Sequence, residues 1–180
     1  MSANLIVRKA RPSDAEAVAR IYIDAWRDTY PLVLPAKLLL NMSLSVQTLR
    51  WRNAICMAAR EAVYVAEDKS GALLGMTSMG RSRDPALGYD AEIYTLYVDP
   101  MMTGMGAGRA LLQGAFEALV ERGHMRCVIW AHARNPARYF YEAMGGKLIA
   151  ERTVSLMGVP VPEAAYGWPR LAVSEPSTRR

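Results

Sequence analysis

Cysteine and histidine are scarce in this chain: Cys56 and Cys127 stand apart, and His124 and His132 are the only histidines. No spacing among them resembles a zinc site, and two isolated cysteines make no disulfide framework, so metal-centred and disulfide-stapled designs drop out. Long apolar runs are missing too. None reaches the roughly 18 residues of a membrane span, and the start, M-S-A-N-L-I-V-R-K, lacks an apolar stretch of signal-peptide length. A soluble cytoplasmic protein with no membrane partner is therefore expected. There is no strong charge bias: 22 Lys and Arg against 17 Asp and Glu leave +5, part of it in Arg179 and Arg180. So small a surplus, with no basic run interleaved with aromatics, suits anionic small molecules and is weak ground for a nucleic-acid partner. What is plentiful is apolar surface, 52% of 180 residues, enough for one domain with a substantial core. The domain is expected over residues 1–173, with 174–180 as a polar tail.

Read in order, Leu5 to Val7 is a short strand-like run, and Ser13 with Glu16 makes an S-x-x-E capping box before a helix. Ala15, Val18, Ile21, Tyr22 and Ala25 recur at helical spacing to about Trp26, so one face packs inward. Pro31 and Pro35 interrupt it, and a second helical stretch, in two pieces, covers about 36 to 59. Residues 62–67 and 72–79 read as strands joined by the polar turn Asp68-Lys69-Ser70-Gly71, with Gly75 marking a bulge or a close backbone approach. Residues 80–90, with Arg81, Arg83, Pro85 and Gly88, read as an exposed loop.

The most informative stretch runs from Glu92 to Arg109. Alternation over 92–98 predicts a strand with Glu92, Tyr94, Leu96 and Val98 on one face and Ile93, Thr95 and Tyr97 on the other. After a break at Asp99-Pro100 come Gly104, Gly106 and Gly108, and then an apolar helical stripe, Ala110, Leu111, Leu112, Ala115, Leu119 and Val120, ending at Gly123. A helix start leaves about four N–H groups free and carries roughly half a positive charge, and glycines let the main chain approach a ligand. Strand, glycine loop and helix in that order make a phosphate or pyrophosphate cradle. A strand at 126–131 follows, so 92–98 and 126–131 should be parallel with a right-handed crossover. Asn135 as N-cap and Pro136 at N1 open a short helix that closes at Gly145-Gly146. A hairpin around Met157-Gly158 ends the domain, and its exposed edge would permit a homodimer.

Three phosphate designs compete. A P-loop needs Gly-Lys-Ser/Thr where this chain has Gly108-Arg109-Ala110. A dinucleotide loop needs G-x-G-x-x-G and an acidic residue after the next strand, where this chain has G-x-G-x-G and Trp130-Ala131-His132. The third is carried by three segments. Leu96-Tyr97-Val98-Asp99-Pro100 matches an L-x-V-x-P pattern, Thr103-Gly104-Met105-Gly106-Ala107-Gly108 matches R/Q-x-x-G-x-G/A, and Asn135 to Gly145 echoes N-x-x-A-x-x-F-Y-E-x-x-G. In these the chain resembles the GCN5-related N-acetyltransferase (GNAT) superfamily. Two departures stand out: Thr103 replaces the usual Arg or Gln, and the alanine of the third pattern is displaced, Arg138 lying beside Ala137. The W-R-D-T-Y segment, Trp26 to Tyr30, is similar to a subgroup of bacterial members.

The resemblance implies a mixed α+β fold: a twisted, mostly antiparallel sheet of about six or seven strands flanked by about four helices, with one parallel strand–helix–strand unit. It implies acetyl transfer from acetyl-CoA to an amine of a small molecule or peptide, with no metal. A catalytically idle CoA-binding or sensing domain is the alternative. Coenzyme A would be held by Thr103, Gly104, Met105, Gly106, Ala107, Gly108 and Arg109 at its pyrophosphate. Leu96, Tyr97, Val98 and Asn135 would hold its arm. Tyr141 would be the acid at the departing sulfur, and Glu92 the base, directly or through water, with His132 and Tyr94 as further candidates for that role. An alkyl ammonium of pKa about 10.4 costs about 4.6 kcal/mol to deprotonate at pH 7, whereas a thiol near 8.5 costs a departing thiolate only about 2 kcal/mol, so the base matters more. Trp26 and Tyr30, with Glu163 and Tyr166, are expected on the acceptor side.

Overall fold

The computed structural model describes residues 5–31, 34–156 and 158–171. The expected tail and Met157 at the hairpin tip lie outside them. The strands are β1 (Ile6–Lys9), β2 (Ala62–Glu67), β3 (Leu73–Arg81), β4 (Ala91–Val98), β5 (Cys127–His132), β6 (Lys147–Leu156) and β7 (Val159–Trp168). The helices are α1 (Ala15–Thr29), α2 (Ala36–Leu40), α3 (Leu44–Cys56), α4 (Ala107–Glu121) and α5 (Ala137–Ala143). The strands form one sheet in the order β1-β2-β3-β4-β5-β7-β6, antiparallel throughout except between β4 and β5. This is the mixed α+β architecture expected, with five helices among the described residues, two of them from the stretch before β2 that reads as two pieces. Among the described residues, no helix is long and apolar enough to cross a membrane.

Period-two burial along the strands places helices on both sheet faces. Val63, Val65 and Met76 pack under α1 and α3, against Val18, Tyr22 and Trp51. Their neighbours Ala66 and Leu74 face α4, against Ala107 and Leu111. Gly75 allows that second contact: a Cβ there would stand 2.7 Å from the Tyr97 carbonyl and 2.8 Å from Leu111. The expected bulge is adjacent, since Ala66 pairs with Gly75 while Glu67 pairs with Leu73.

Two local expectations are corrected. The capping box at Ser13 and Glu16 does not form. Instead the chain makes a 3-10 turn over Pro12–Asp14, and Asp14 Oδ2 accepts the Arg11 N–H at 2.7 Å. Arg8 of β1 draws Asp14 into that position through a 2.7 Å pair, and Glu16 pairs with Arg20 one turn further on. The two faces of β4 also do not run unbroken. Ser78 pairs with Thr95 but Met79 pairs with Ile93, so Tyr94 is an extra residue. The bulge flips the parity: Ile93 and Leu96 both pack in the core under α4, while Tyr97 packs under α1.

The parallel pairing of β4 with β5 is short. It covers Ala91↔Cys127, Glu92↔Val128 and Ile93↔Ile129 and stops at the bulge, although β4 runs on to Val98 and β5 to His132. Beyond Ile93 the two strands part, and among the described residues no strand pairs with the outer backbone edge of β4 there.

Candidate active site

A cleft of about 730 Å³ occupies the wedge between the parted strands. Its floor is Thr95 to Val98 on one side and Ile129 to Ala131 on the other. One end reaches the glycine loop, where Thr103, Gly104, Gly106, Ala107, Gly108 and Arg109 line it. The C-terminal end of α1 lines the cleft as well, with Asp28, Thr29 and Tyr30. Asn135, Phe140 and Tyr141 of the α5 segment close the side.

The loop owes its shape to its glycines. Asp99 Oδ1 accepts the Met101 N–H at 2.9 Å and starts a 3-10 turn over Pro100–Met102. Gly104 and Gly106 then take φ of 80° and 87°, where a side chain would be strained even though the space beside each is open. Gly106 caps α4, whose ladder begins with the Ala110 N–H on the Gly106 carbonyl at 3.0 Å. The amides of Ala107, Gly108 and Arg109 precede that bond and face no helical carbonyl. No acidic residue stands in the first turn, and Arg109 adds a cation. The residues fit a pyrophosphate. Thr103 lines the cleft but turns its hydroxyl back to the Pro100 carbonyl at 3.4 Å, so a recognition side chain is replaced by a loop contact. Met105 is exposed and does not line the cleft.

Helix α5 is fixed at both ends, and that positions Tyr141. Asn135 Oδ1 accepts the Ala137 N–H at 2.9 Å, the capping role expected of it. At the far end the Gly145 and Gly146 N–H groups bond the Glu142 and Tyr141 carbonyls, a Schellman closure. Trp168 Nε1 donates to the Met144 carbonyl at 2.9 Å, and a Cβ on Gly146 would come within 2.8 Å of that indole. Tyr141 is 4% exposed, edge-on to Phe140 at 5.5 Å and tilted against Tyr166 at 5.9 Å. Burial pushes its phenol above the usual range, so it holds its hydrogen at neutral pH.

Glu92, the expected base, is placed outside the cleft. It is 1% exposed and enclosed by Arg83, whose backbone N–H meets Oε2 at 2.9 Å and whose Nε meets Oε1 at 3.0 Å, with Nη2 on the same oxygen. Arg83 also lies over the Tyr94 ring at 4.7 Å, and the Tyr94 hydroxyl donates to the Arg81 carbonyl at 2.7 Å. His132 is buried, and its Nδ1 accepts the Arg134 N–H at 3.0 Å. The neutral ring therefore carries its hydrogen on Nε2, and burial together with the nearby Arg134 lowers its pKa. Neither nitrogen is a free acceptor.

Of the expected acceptor residues, Tyr30 lines the cleft and Trp26 stands behind it, donating from Nε1 to the Tyr97 hydroxyl at 3.0 Å. Glu163 pairs with Arg152 at 2.9 Å, and Tyr166 belongs to the core under Tyr141. Sequence reading missed Asp28, Thr29, Phe140 and Trp130. For Asp28 and Thr29 a signal existed, since they sit inside the W-R-D-T-Y segment at the end of a helix. The cleft lining thus includes Asp28 as well as Arg109, one charge of each sign.

Comparison with known proteins gives the same answer. The model of the Acetyltransferase (GNAT) family matches residues 16–146. The uncharacterized N-acetyltransferase YuaI of Bacillus subtilis is 32% identical over 166 residues, 92% of this chain and 94% of that one. Among solved structures, the PaiA N-acetyltransferase of Thermoplasma acidophilum in complex with coenzyme A superimposes with a TM-score of 0.68 at 17% identity, covering 89% of this chain and 98% of that chain. YncA of Salmonella typhimurium with acetyl-CoA gives 0.70 at 20% identity, covering 98% and 100%. This chain belongs to the acetyltransferase (GNAT) family and is an acyltransferase of the N-acetyltransferase type.

Proposed function

We propose that the protein transfers the acetyl group of acetyl-CoA directly to the amine of a small molecule or peptide. The observation that carries this reading is the continuity of the cleft from the glycine cradle, along the unpaired edge of β4, to Asp28 and Tyr30. The amides of Ala107 to Arg109 bind the pyrophosphate. The backbone of Leu96 to Val98 pairs with the arm as a strand would, and an N–H on that edge polarises the thioester carbonyl. Tyr141 donates a hydrogen bond to the departing sulfur. A phenol raised by burial is a weaker acid than a thiol, so its contribution is a hydrogen bond to the thiolate more than a completed proton transfer. Asp28, on the cleft wall, attracts the ammonium.

Glu92 is enclosed by Arg83 and Glu163 is paired with Arg152, so in this reading the amine loses its proton to solvent before attack. One observation favours the alternative of an idle CoA-binding domain: Glu92 is fully engaged by Arg83. Calorimetric titration with acetyl-CoA and CoA, followed by a thiol-release assay over an amine panel, separates the two. Binding with amine-dependent thiol release supports transfer. Binding with no release on any amine supports the idle domain.

A further inference from the structure

One face of the sheet carries a row of polar side chains that the proposed reaction does not use. In the antiparallel pairing of β5, β7 and β6, His132 stands opposite Glu163, and Glu163 stands opposite Arg152. Directly opposite residues share a sheet face, and so do residues two apart on one strand, which adds Trp130 to the row. This is the face toward the end of α1, where the Tyr30 ring stands edge-on to His132 at 6.3 Å. Trp130 ties the row to the cleft, which it lines.

Arg152 reaches back across β7 to Trp130. Its guanidinium carbon lies 3.7 Å from the centroid of the indole, and its Nε donates to Glu163 Oε2 at 2.9 Å. The two contacts hold in place a side chain that would otherwise be spread over many rotamers. They use the Nε edge and the indole, and among the described residues neither Nη1 nor Nη2 has a hydrogen-bond partner. The side chain is 39% exposed, so that end of the fork is open.

The unpaired groups in the row are mostly donors. Guanidinium and indole nitrogens can only donate, and Trp130 Nε1 is buried without a partner among the described residues. His132, whose Nδ1 accepts the Arg134 N–H, carries its hydrogen on Nε2. Against these stands the second oxygen of Glu163. The surplus calls for a ligand that accepts hydrogen bonds, and two N–H groups in a planar fork match the two oxygens of a carboxylate. Because Glu163 offsets the charge of Arg152, recognition comes from the direction of these donors more than from net charge.

We infer that Arg152 binds a carboxylate carried by the acceptor, so that the acceptor is an amino acid and not a simple amine. The inference rests on the proposed transfer to an amine and narrows it: Asp28 on the cleft wall attracts the ammonium, and Arg152, held against Trp130, takes the carboxylate.

Calorimetric titration of acceptors into protein saturated with CoA, which cannot turn over, reads this contact apart from the chemistry. The probes are L-amino acids and ω-amino acids, their carboxamides, and the corresponding amines that lack the carboxylate. At least one acid should bind at least about tenfold more tightly than both its amide and its parent amine. Arg152→Gln should reduce that preference to less than about twofold, and Arg152→Lys should restore only part of it, since an ammonium has no planar fork. Affinity for acetyl-CoA should change by less than about threefold in both variants, which reports correct folding. In thiol release the preference should appear in the acceptor KM, with kcat little changed. A preference that is absent, or that survives Arg152→Gln, overturns the inference. So does tighter binding of diamines by the Arg152→Gln variant, because Arg152 would then be filling the seat of a substrate cation. Arg152-dependent binding of acids by a protein that acetylates none of them removes the proposed function and leaves this site standing. Acetylation of amines with no preference for acids does the reverse.

Discussion

Arg83 wraps Glu92: backbone N–H and side-chain fork together occupy both carboxylate oxygens, and the carboxylate is left 1% exposed. The pair joins the loop after β3 to the start of β4, just ahead of the bulge at Tyr94 where β4 leaves β5. Its role in this geometry is to hold the place where the cleft opens. Glu92→Gln should therefore act on stability before chemistry. Loss of charge-assisted hydrogen bonds is worth about 1–3 kcal/mol, or a fall in Tm of about 2–10 °C for a chain of this size. Thermal unfolding together with thiol release at a temperature where the variant is folded checks this. An unchanged Tm with turnover lowered more than about a hundredfold would return Glu92 to the role of base.

The cradle depends on backbone and not on side chains, so its sensitivity is uneven. Gly106→Val imposes a β-branched residue on a φ of 87° at the cap of α4, and acetyl-CoA affinity should fall at least about a hundredfold. Thr103→Arg adds a cation at a position where the present hydroxyl only closes the loop. It should tighten binding about two- to fivefold at low salt, and the gain should vanish at high salt. Calorimetric titration at two ionic strengths reads both.

Tyr141→Phe removes a donor while keeping the ring against Phe140 and Tyr166. Turnover should drop about 10- to 100-fold with acetyl-CoA affinity nearly intact. Because burial raises the Tyr141 pKa above its ordinary 10, the phenol does not ionise over the working range. The pH profile of kcat/KM should instead rise with pH toward the pKa of the acceptor amine, about 10.4, as the free amine becomes available. A plateau near pH 6 or 7 would mean that a base in the protein has been overlooked.

Much of this site could be read from residues near one another in the sequence. The glycine loop, the cap at Asn135 and the closure at Gly145-Gly146 are local devices, and each forms where its residues stand. What could not be read depends on distant partners. Nothing in the run Glu92 to Val98 announces the extra residue at Tyr94, because a bulge is set by the strands beside it. Glu92 reads as a candidate base until a loop that reads as exposed folds back and places Arg83 on it. Ser13 has the right spacing for a cap but loses to Asp14, which Arg8 recruits from β1. Trp26 looks like part of an acceptor wall, yet its partner Tyr97 lies in β4, and the contact puts it behind the wall.

Asp14 also gives a stability prediction with a definite sign. Its hydrogen bond to Arg8, aided by the Arg11 N–H, holds the folded-state pKa below the ordinary value. The stabilisation is therefore complete above about pH 4, the unfolded pKa, and is lost as pH falls through the lower folded value. Asp14→Asn should lower Tm at pH 7 and flatten the acid limb of the stability curve below pH 4. An acid limb unchanged in the variant would place that dependence elsewhere.

The central claim is transfer of an acetyl group to nitrogen, and following the label tests it most directly. The protein is incubated with acetyl-CoA carrying a ¹³C-labelled acetyl group and an extract of cellular amines, and the products are identified by mass spectrometry. The account predicts labelled acetyl amides that require the protein and disappear with Gly106→Val. Saturable binding of acetyl-CoA with no labelled amide would contradict it.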